Sequence, residues 1–194
     1  MKAGNSLGDS AYSGSSNSVT PVTPTAFESI ATATGTGSSN TITFSSIPGT
    51  YQHLQVRCIA FASSGQLLLR LNGDTGTNYT RHTLNGYNST VSAAGNTAQS
   101  SIRVCIDDGA RASMETTFGT VAIIDIHDYA STTRNKTVRA FGGKDDNTAA
   151  DSEIDLNSGL WINTSAVTSI TILNSGAGNF TTSSTFALYG IKGA

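Results

Sequence analysis

Charge is scarce in this chain: Lys, Arg, Asp and Glu make up 12% of 194 residues, and the formal net charge is −2. That argues against the basic stripe with which proteins grip phosphate backbones or anionic lipid, so neither nucleic acid nor a membrane is an expected partner. No hydrophobic run approaches the length of a bilayer span. Met1-Lys2-Ala3-Gly4-Asn5-Ser6 leads into no apolar stretch, so the chain reads as free of a signal peptide and as a soluble product made in a cytoplasm. Apolar residues at helical spacing are also missing; only Gly109 to Thr116 has the composition for one short helix.

Cysteine occurs twice, at Cys58 and Cys105, each within an alternating apolar run. Neither has a second Cys or a His at metal-ligand spacing. They read as buried free thiols acting as small apolar residues, with a disulfide between them as the alternative.

What the chain has instead is Ser, Thr, Asn and Gly, residues that favour turns and strands over helix interiors. Tyr51 to Asp74 is its most regular stretch. Leu54, Val56, Cys58 and Ala60 alternate with His53, Gln55 and Arg57, and after Ser63-Ser64-Gly65 the alternation resumes at Leu67, Leu69 and Leu71 before the turn Asn72-Gly73-Asp74. Two strands joined by a short turn predict an antiparallel pair. Phe27 to Thr34 and Thr41 to Phe44 predict a hairpin with a longer loop. Further strands are expected at Tyr79 to Leu84, Ser101 to Asp107, Thr117 to His127, Thr137 to Phe141, Glu153 to Leu156, Val167 to Leu173 and Thr185 to Ile191. Gly-, Asn- and Asp-rich clusters such as Gly86-Tyr87-Asn88 and Gly142-Gly143-Lys144 read as the turns between them. About ten short strands at this spacing predict an all-β, antiparallel β-sandwich of jelly-roll type.

Residues 1–25 differ from the rest. Their scattered apolar positions Leu7, Tyr12, Val19 and Val22 are too few to form a core, and Pro21 and Pro24 bias the segment toward extended backbone. The division expected is an extended Ser/Thr/Pro-rich N-terminal arm over 1–25 and a sandwich domain over 26–194. The arm reads either as a contact segment, with Leu7, Tyr12, Val19, Pro21, Val22 and Pro24 touching a partner, or as a passive linker.

The candidate chemistry is thin. Asp125 and His127 share one strand face and suggest a metal corner, but without further ligands they read as solvent-facing residues beside a core of Val121, Ile124 and Ile126. His53 and His82 likewise read as surface residues. Asn72 to Asn78 resembles an oxygen-rich calcium loop but lacks the closing bidentate Glu. No serine lies in a nucleophile elbow, and Asp107-Asp108 and Asp145-Asp146 sit in Gly-rich turns. An enzyme is not expected, nor is a cofactor or metal. Trp161, with tyrosines such as Tyr87, presents two readings: stacking platforms for a sugar ring, or filling of the core or a subunit interface.

Four blocks carry a more specific signal: Phe27-Glu28-Ser29-Ile30-Ala31-Thr32; Ile42 to Arg57, which contains Ile47-Pro48-Gly49-Thr50-Tyr51-Gln52-His53-Leu54; Leu69-Arg70-Leu71-Asn72-Gly73-Asp74-Thr75-Gly76-Thr77-Asn78-Tyr79; and Phe186-Ala187-Leu188-Tyr189-Gly190-Ile191-Lys192. Together they resemble small virion structural proteins of tailed bacteriophages, including cyanophages. The resemblance spans Phe27 to the C-terminus and leaves out the arm. It implies a non-enzymatic jelly-roll module, a homotrimer, displayed on the virion. The expected role is a capsid decoration (cement) protein on the outer surface of the shell, bound to the major capsid protein and synthesised in the host cytoplasm. The alternative is a tail-fibre or tail-tip head that binds host surface glycan through Trp161 or Tyr87.

Overall fold

The computed structural model describes residues 26–105, 114–148 and 152–193. Among them are twelve strands: β1 (Phe27–Thr34), β2 (Thr41–Phe44), β3 (His53–Ala60), β4 (Leu67–Leu71), β5 (Tyr79–Tyr87), β6 (Thr90–Gln99), β7 (Ile102–Cys105), β8 (Thr120–His127), β9 (Lys136–Lys144), β10 (Glu153–Trp161), β11 (Ile170–Asn174) and β12 (Thr185–Ile191). They form two sheets, β1-β12-β3-β8-β9-β10-β5-β6 and β2-β11-β4-β7, with every pairing antiparallel. The chain is thus all-β and built of two antiparallel sheets. Residues 1–25, and with them the expected arm, lie outside the described residues.

The four-stranded sheet covers one half of the eight-stranded one. Its inward rows run Ile42–Ile172–Leu69–Ile102 and Phe44–Ile170–Leu71. Opposite them stand Leu54 and Val56 from β3, Ile124 and Ile126 from β8, and Phe186 and Leu188 from β12, and all of these belong to one buried cluster. The alternation read in Leu54, Val56 and Ala60 therefore marks the core face. Trp161 and Tyr79 close one end of this core, their rings stacked 6.4 Å apart.

Two pairings predicted from sequence are replaced. β3 and β4 are not partners: β3 pairs with β12 and β8, β4 with β11 and β7, so the Ser63-Ser64-Gly65 link crosses between sheets. β1 and β2 are likewise split between sheets rather than forming a hairpin. Alternation fixes which residues share a face, but a strand that needs its apolar face covered is satisfied by a partner across the core as well as beside it. The crossing is pinned by Asn174, whose side-chain amide donates to the carbonyls of Ser64 and Gly178, 2.7 Å each.

Two supposed turns are strand. β5 runs through Gly86 and Tyr87 and reverses at Asn88, whose φ of 50° places it in the left-handed region that Asn tolerates. β9 likewise continues through Gly142, Gly143 and Lys144. Of the stretch with helix-compatible composition, Gly109 to Thr116, residues 109–113 lie outside the described residues and Met114 to Thr116 are not helical. β6, reading TVSAAGNTAQ, was not foreseen at all.

At the other end of the large sheet β7, the edge of the small one, packs over β8, β9, β10 and β5, most closely on β10, and the approach requires Gly159. A Cβ there would stand 2.5 Å from the Ile102 side chain, closer than any real contact.

Candidate interaction surface

Antiparallel register lines up residues across the eight-stranded sheet, so its outer face can be read row by row. One row runs Thr34, Thr185, Ile59, Val121, Gly143, Ile154, Gly86, Val91 from β1 to β6. The next runs Thr32, Ala187, Arg57, Ile123, Phe141, Leu156, Leu84, Ala93. From β8 onward these two rows are almost entirely apolar, and their large side chains are between 40% and 75% exposed. Val121, expected in the core, belongs here: it points outward with Ile123 because Ala122 and Ile124 take the inward positions.

The third row is polar: Ser29, Tyr189, Gln55, Asp125, Arg139, Ser158, His82, Gly95. Two pairs within it are hydrogen-bonded, and one of them is joined to Arg57. Gln55 donates to Asp125 at 2.7 Å, Arg57 donates to Gln55 at 2.7 Å, and Arg139 donates to Ser158 at 2.6 Å. The Arg57 guanidinium also lies over the rings of Phe27 and Tyr189, about 6 Å from each centroid. The outer face thus has an apolar end and a hydrogen-bonded polar end.

Seven side chains at about half exposure (Leu84, Val91, Val121, Ile123, Phe141, Ile154 and Leu156) present on the order of 600 Å² of apolar surface, at the upper end for the largest patch on a monomer. Five of them, Val91, Val121, Ile123, Phe141 and Ile154, line a groove of about 1430 Å³, with Thr32 to Thr34 and Thr185 on one flank and Gly86 to Val91 on the other.

Beneath this patch the inner face is polar and buried. Thr83 donates to Asn157 at 2.7 Å, Asn157 donates to the Val104 carbonyl at 3.0 Å, and Asn85 donates to Glu153 at 2.7 Å. Lys144 is buried against Glu115 and, at 3.3 Å, Asp146. Burial alone lowers its pKa, but these two carboxylates outweigh burial and hold it above its ordinary value. Burial likewise acts to raise Asp146, yet bonds from Thr148, Ser152 and Lys144 bring it from 3.8 to about 2.

The other residues singled out in the sequence fall apart as a site. Asp125 and His127 do face outward, and His127 packs edge-on to His53 at 5.2 Å. Asp125 is engaged by Gln55, and among the described residues no cluster of three or more His, Cys, Asp or Glu is placed to hold a metal ion. In the Asn72 to Asn78 loop, Asp74 accepts hydrogen bonds from the Trp161 indole at 2.7 Å, Asn78 at 2.9 Å and the Gly76 amide at 2.8 Å. These bonds, the Trp161 one foremost, keep its carboxyl below the usual range, and the loop braces the core rather than opening to a cation. Trp161 is 1% exposed, so the reading of it as a sugar platform meets a ring with no free face. Tyr87 is half-buried at the flank of the groove. Cys58 and Cys105 are free thiols; burial pushes Cys58 up to about 12 and Cys105 well above its ordinary value. Leu7, Tyr12, Val19, Pro21, Val22 and Pro24 lie outside the described residues.

The apolar patch escaped the sequence reading. The alternation of β10 was visible, but alternation shows two faces without showing which one is covered. No family model matches the chain, and no curated protein or solved structure matches it.

Proposed function

We propose that this chain is a structural protein of a tailed-bacteriophage virion, a capsid decoration (cement) protein that bridges subunits on the outside of the shell. The observation that carries the reading is the apolar end of the large sheet's outer face, which is laid out in register across five strands. A small domain with a contiguous apolar surface on one side of a sheet is suited to adding buried contact across a boundary. Such contact resists outward pressure on a shell. The four sequence blocks that resemble phage virion proteins point the same way, and the resemblance supplies the further elements of the reading: self-association as a trimer, the major capsid protein as partner, and no catalytic activity.

Strand order supports a jelly-roll winding. Without the hairpins β5–β6 and β9–β10, eight strands remain in the order β1-β12-β3-β8 over β2-β11-β4-β7, the arrangement that two interlocked Greek keys produce. The two hairpins are then insertions that widen one sheet, and the apolar patch lies mainly on them. In this reading the apolar face joins copies of the chain into a brace across the boundary, and the arm over 1–25 is the contact with the shell, ordering as it binds.

Quantitative mass spectrometry of purified virions tests the proposal. A copy number comparable to the major shell protein is expected, because a decoration protein repeats with the lattice. A few copies per particle transfer the chain to the tail, where glycan binding through groove residues such as Tyr87 becomes the reading; absence from the virion rejects both.

A further inference from the structure

Among the described residues the eight-stranded sheet ends in two unpaired edges and the four-stranded sheet in two more. Exposed edges template pairing with other chains, and folded proteins blunt them with short strands, charges or bulges. Three of these edges are blunted. β2 and β7 are four residues each, and the pairing of β7 with β4 is interrupted by a register shift. β1 has a register shift between Ser29 and Ala31, and its Glu28 is paired with Lys192.

β6 is different. It is ten residues long and carries no charge, and its one irregularity is confined to its end, where Ala98 has a φ of 53° and Thr97 and Ala98 bulge opposite Thr80. Thr90 to Asn96 is left as a regular edge, exposed on both faces except at Ser92. Among the described residues nothing pairs with its outer side. On the outer face it presents Val91, Ala93 and Gly95, so the apolar rows of β8, β9, β10 and β5 continue without interruption to the edge.

We infer that copies of this chain associate through this edge and the apolar face that adjoins it. Strand addition supplies main-chain hydrogen bonds, and the two apolar rows supply desolvation. A second copy fits on three counts. An uncharged strand meets no like-charge penalty when set beside a copy of itself or beside another uncharged edge. The formal net charge of −2 leaves little long-range repulsion between copies. The patch of on the order of 600 Å², with the β6 edge added, approaches the roughly 800 Å² that each partner contributes to a standard interface. The inference rests on the self-association included in the proposed function but not on shell binding, and it places the joint on β6 and the β8-β9-β10-β5 face.

Sedimentation velocity on the full chain at micromolar to tens-of-micromolar concentration tests it, with thermal melting and circular dichroism reporting the fold. The wild type is expected to sediment as an oligomer. Ala93→Asp and Leu156→Asp each place a carboxylate on an exposed position of the joint and are expected to weaken association by at least about 100-fold. Ser158→Asp, in the polar row, is expected to leave it unchanged. Ala93→Lys repeats the edge test with the opposite charge, should either acidic variant fail to fold. A wild type that is monomeric throughout, or an oligomer that survives substitution at either position in folded protein, overturns the inference. A protein that assembles through this face but is absent from virions overturns only the virion reading.

Discussion

The two halves of the eight-stranded sheet are built with opposite polarity. In β1, β12, β3 and β8 the inner face is apolar, with Leu54, Val56, Ile124, Ile126 and Leu188 under the smaller sheet, while the outer face of β1, β12 and β3 carries Ser29, Gln55, Arg57 and Tyr189. In β10 and β5 the inner face carries Thr83, Asn85, Glu153, Asp155 and Asn157, all buried, and the outer face carries Leu84, Ile154 and Leu156 in the open. β8 and β9 form the transition, with Ile124, Ile126, Val138 and Ala140 on the inner side and Val121, Ile123 and Phe141 exposed on the outer. One sheet thus has a face finished by its own chain and a face whose apolar end no described residue covers. Neighbouring positions such as Leu156 and Asn157 lock this arrangement, since a one-residue slip would expose the hydrogen-bonded amide and bury the leucine without cover.

The contrast is broken most strongly in the finished half. Leu54→Ala empties a fully buried position and is expected to cost about 3 kcal/mol in urea unfolding, whereas Leu156→Ala in the isolated protein is expected to cost well under about 1 kcal/mol. Equal losses would erase the distinction between the halves.

Asn157→Ala comes next in size. It leaves the Thr83 hydroxyl and the Val104 carbonyl without their partner in a buried setting, an expected loss of about 2 kcal/mol. A tolerated Asn157→Ala combined with a damaging Leu156→Asn would reverse the assigned faces.

Acid acts on both halves through one sign. Asp146, Asp74 and Glu28 are all held below their ordinary values in the folded chain. Their contribution is therefore present above the ordinary carboxylate range and lost as pH falls, for Asp146 between 3.8 and about 2. Urea midpoints should be flat from neutrality to about pH 5 and drop below about pH 4. Asp146→Asn should remove part of that drop; a midpoint that rises on acidification contradicts the assignment.

The smallest effect concerns the thiols. Cys105 is buried and Cys58, on the wall of the groove, is partly buried; Cys105 is held protonated, so an aromatic disulfide reagent at pH 8 should label it only as fast as the native chain opens, and more slowly than Cys58. Prompt labelling of Cys105 would contradict its burial.

Much of the fold was legible from alternation. Thr185–Ile191 and the core positions of β3 stand where the pattern put them, because each strand has one face closed by the opposite sheet. Pairing was not legible: Ser63-Ser64-Gly65 reads as a hairpin turn, but nothing local distinguishes a turn within a sheet from a crossing between two. β6 was silent because Ala, Ser, Gly and Asn with a single Val91 give no period, and its pairing comes from β5 rather than from its own side chains. The candidate surface was hidden for a related reason. Val121 looks like core by composition, and only the register of β8 turns it outward.

The central claim is that the apolar end of this outer face is where the chain meets its partner. Hydroxyl-radical footprinting of the protein in its assembled state, against dilute isolated protein, tests it most directly. The account predicts that Leu84, Phe141, Ile154 and Leu156 become protected while Tyr189, in the polar row of the same face and far from β6, keeps its labelling. Protection that spares those four side chains, or that falls equally on both ends of the face, would contradict it.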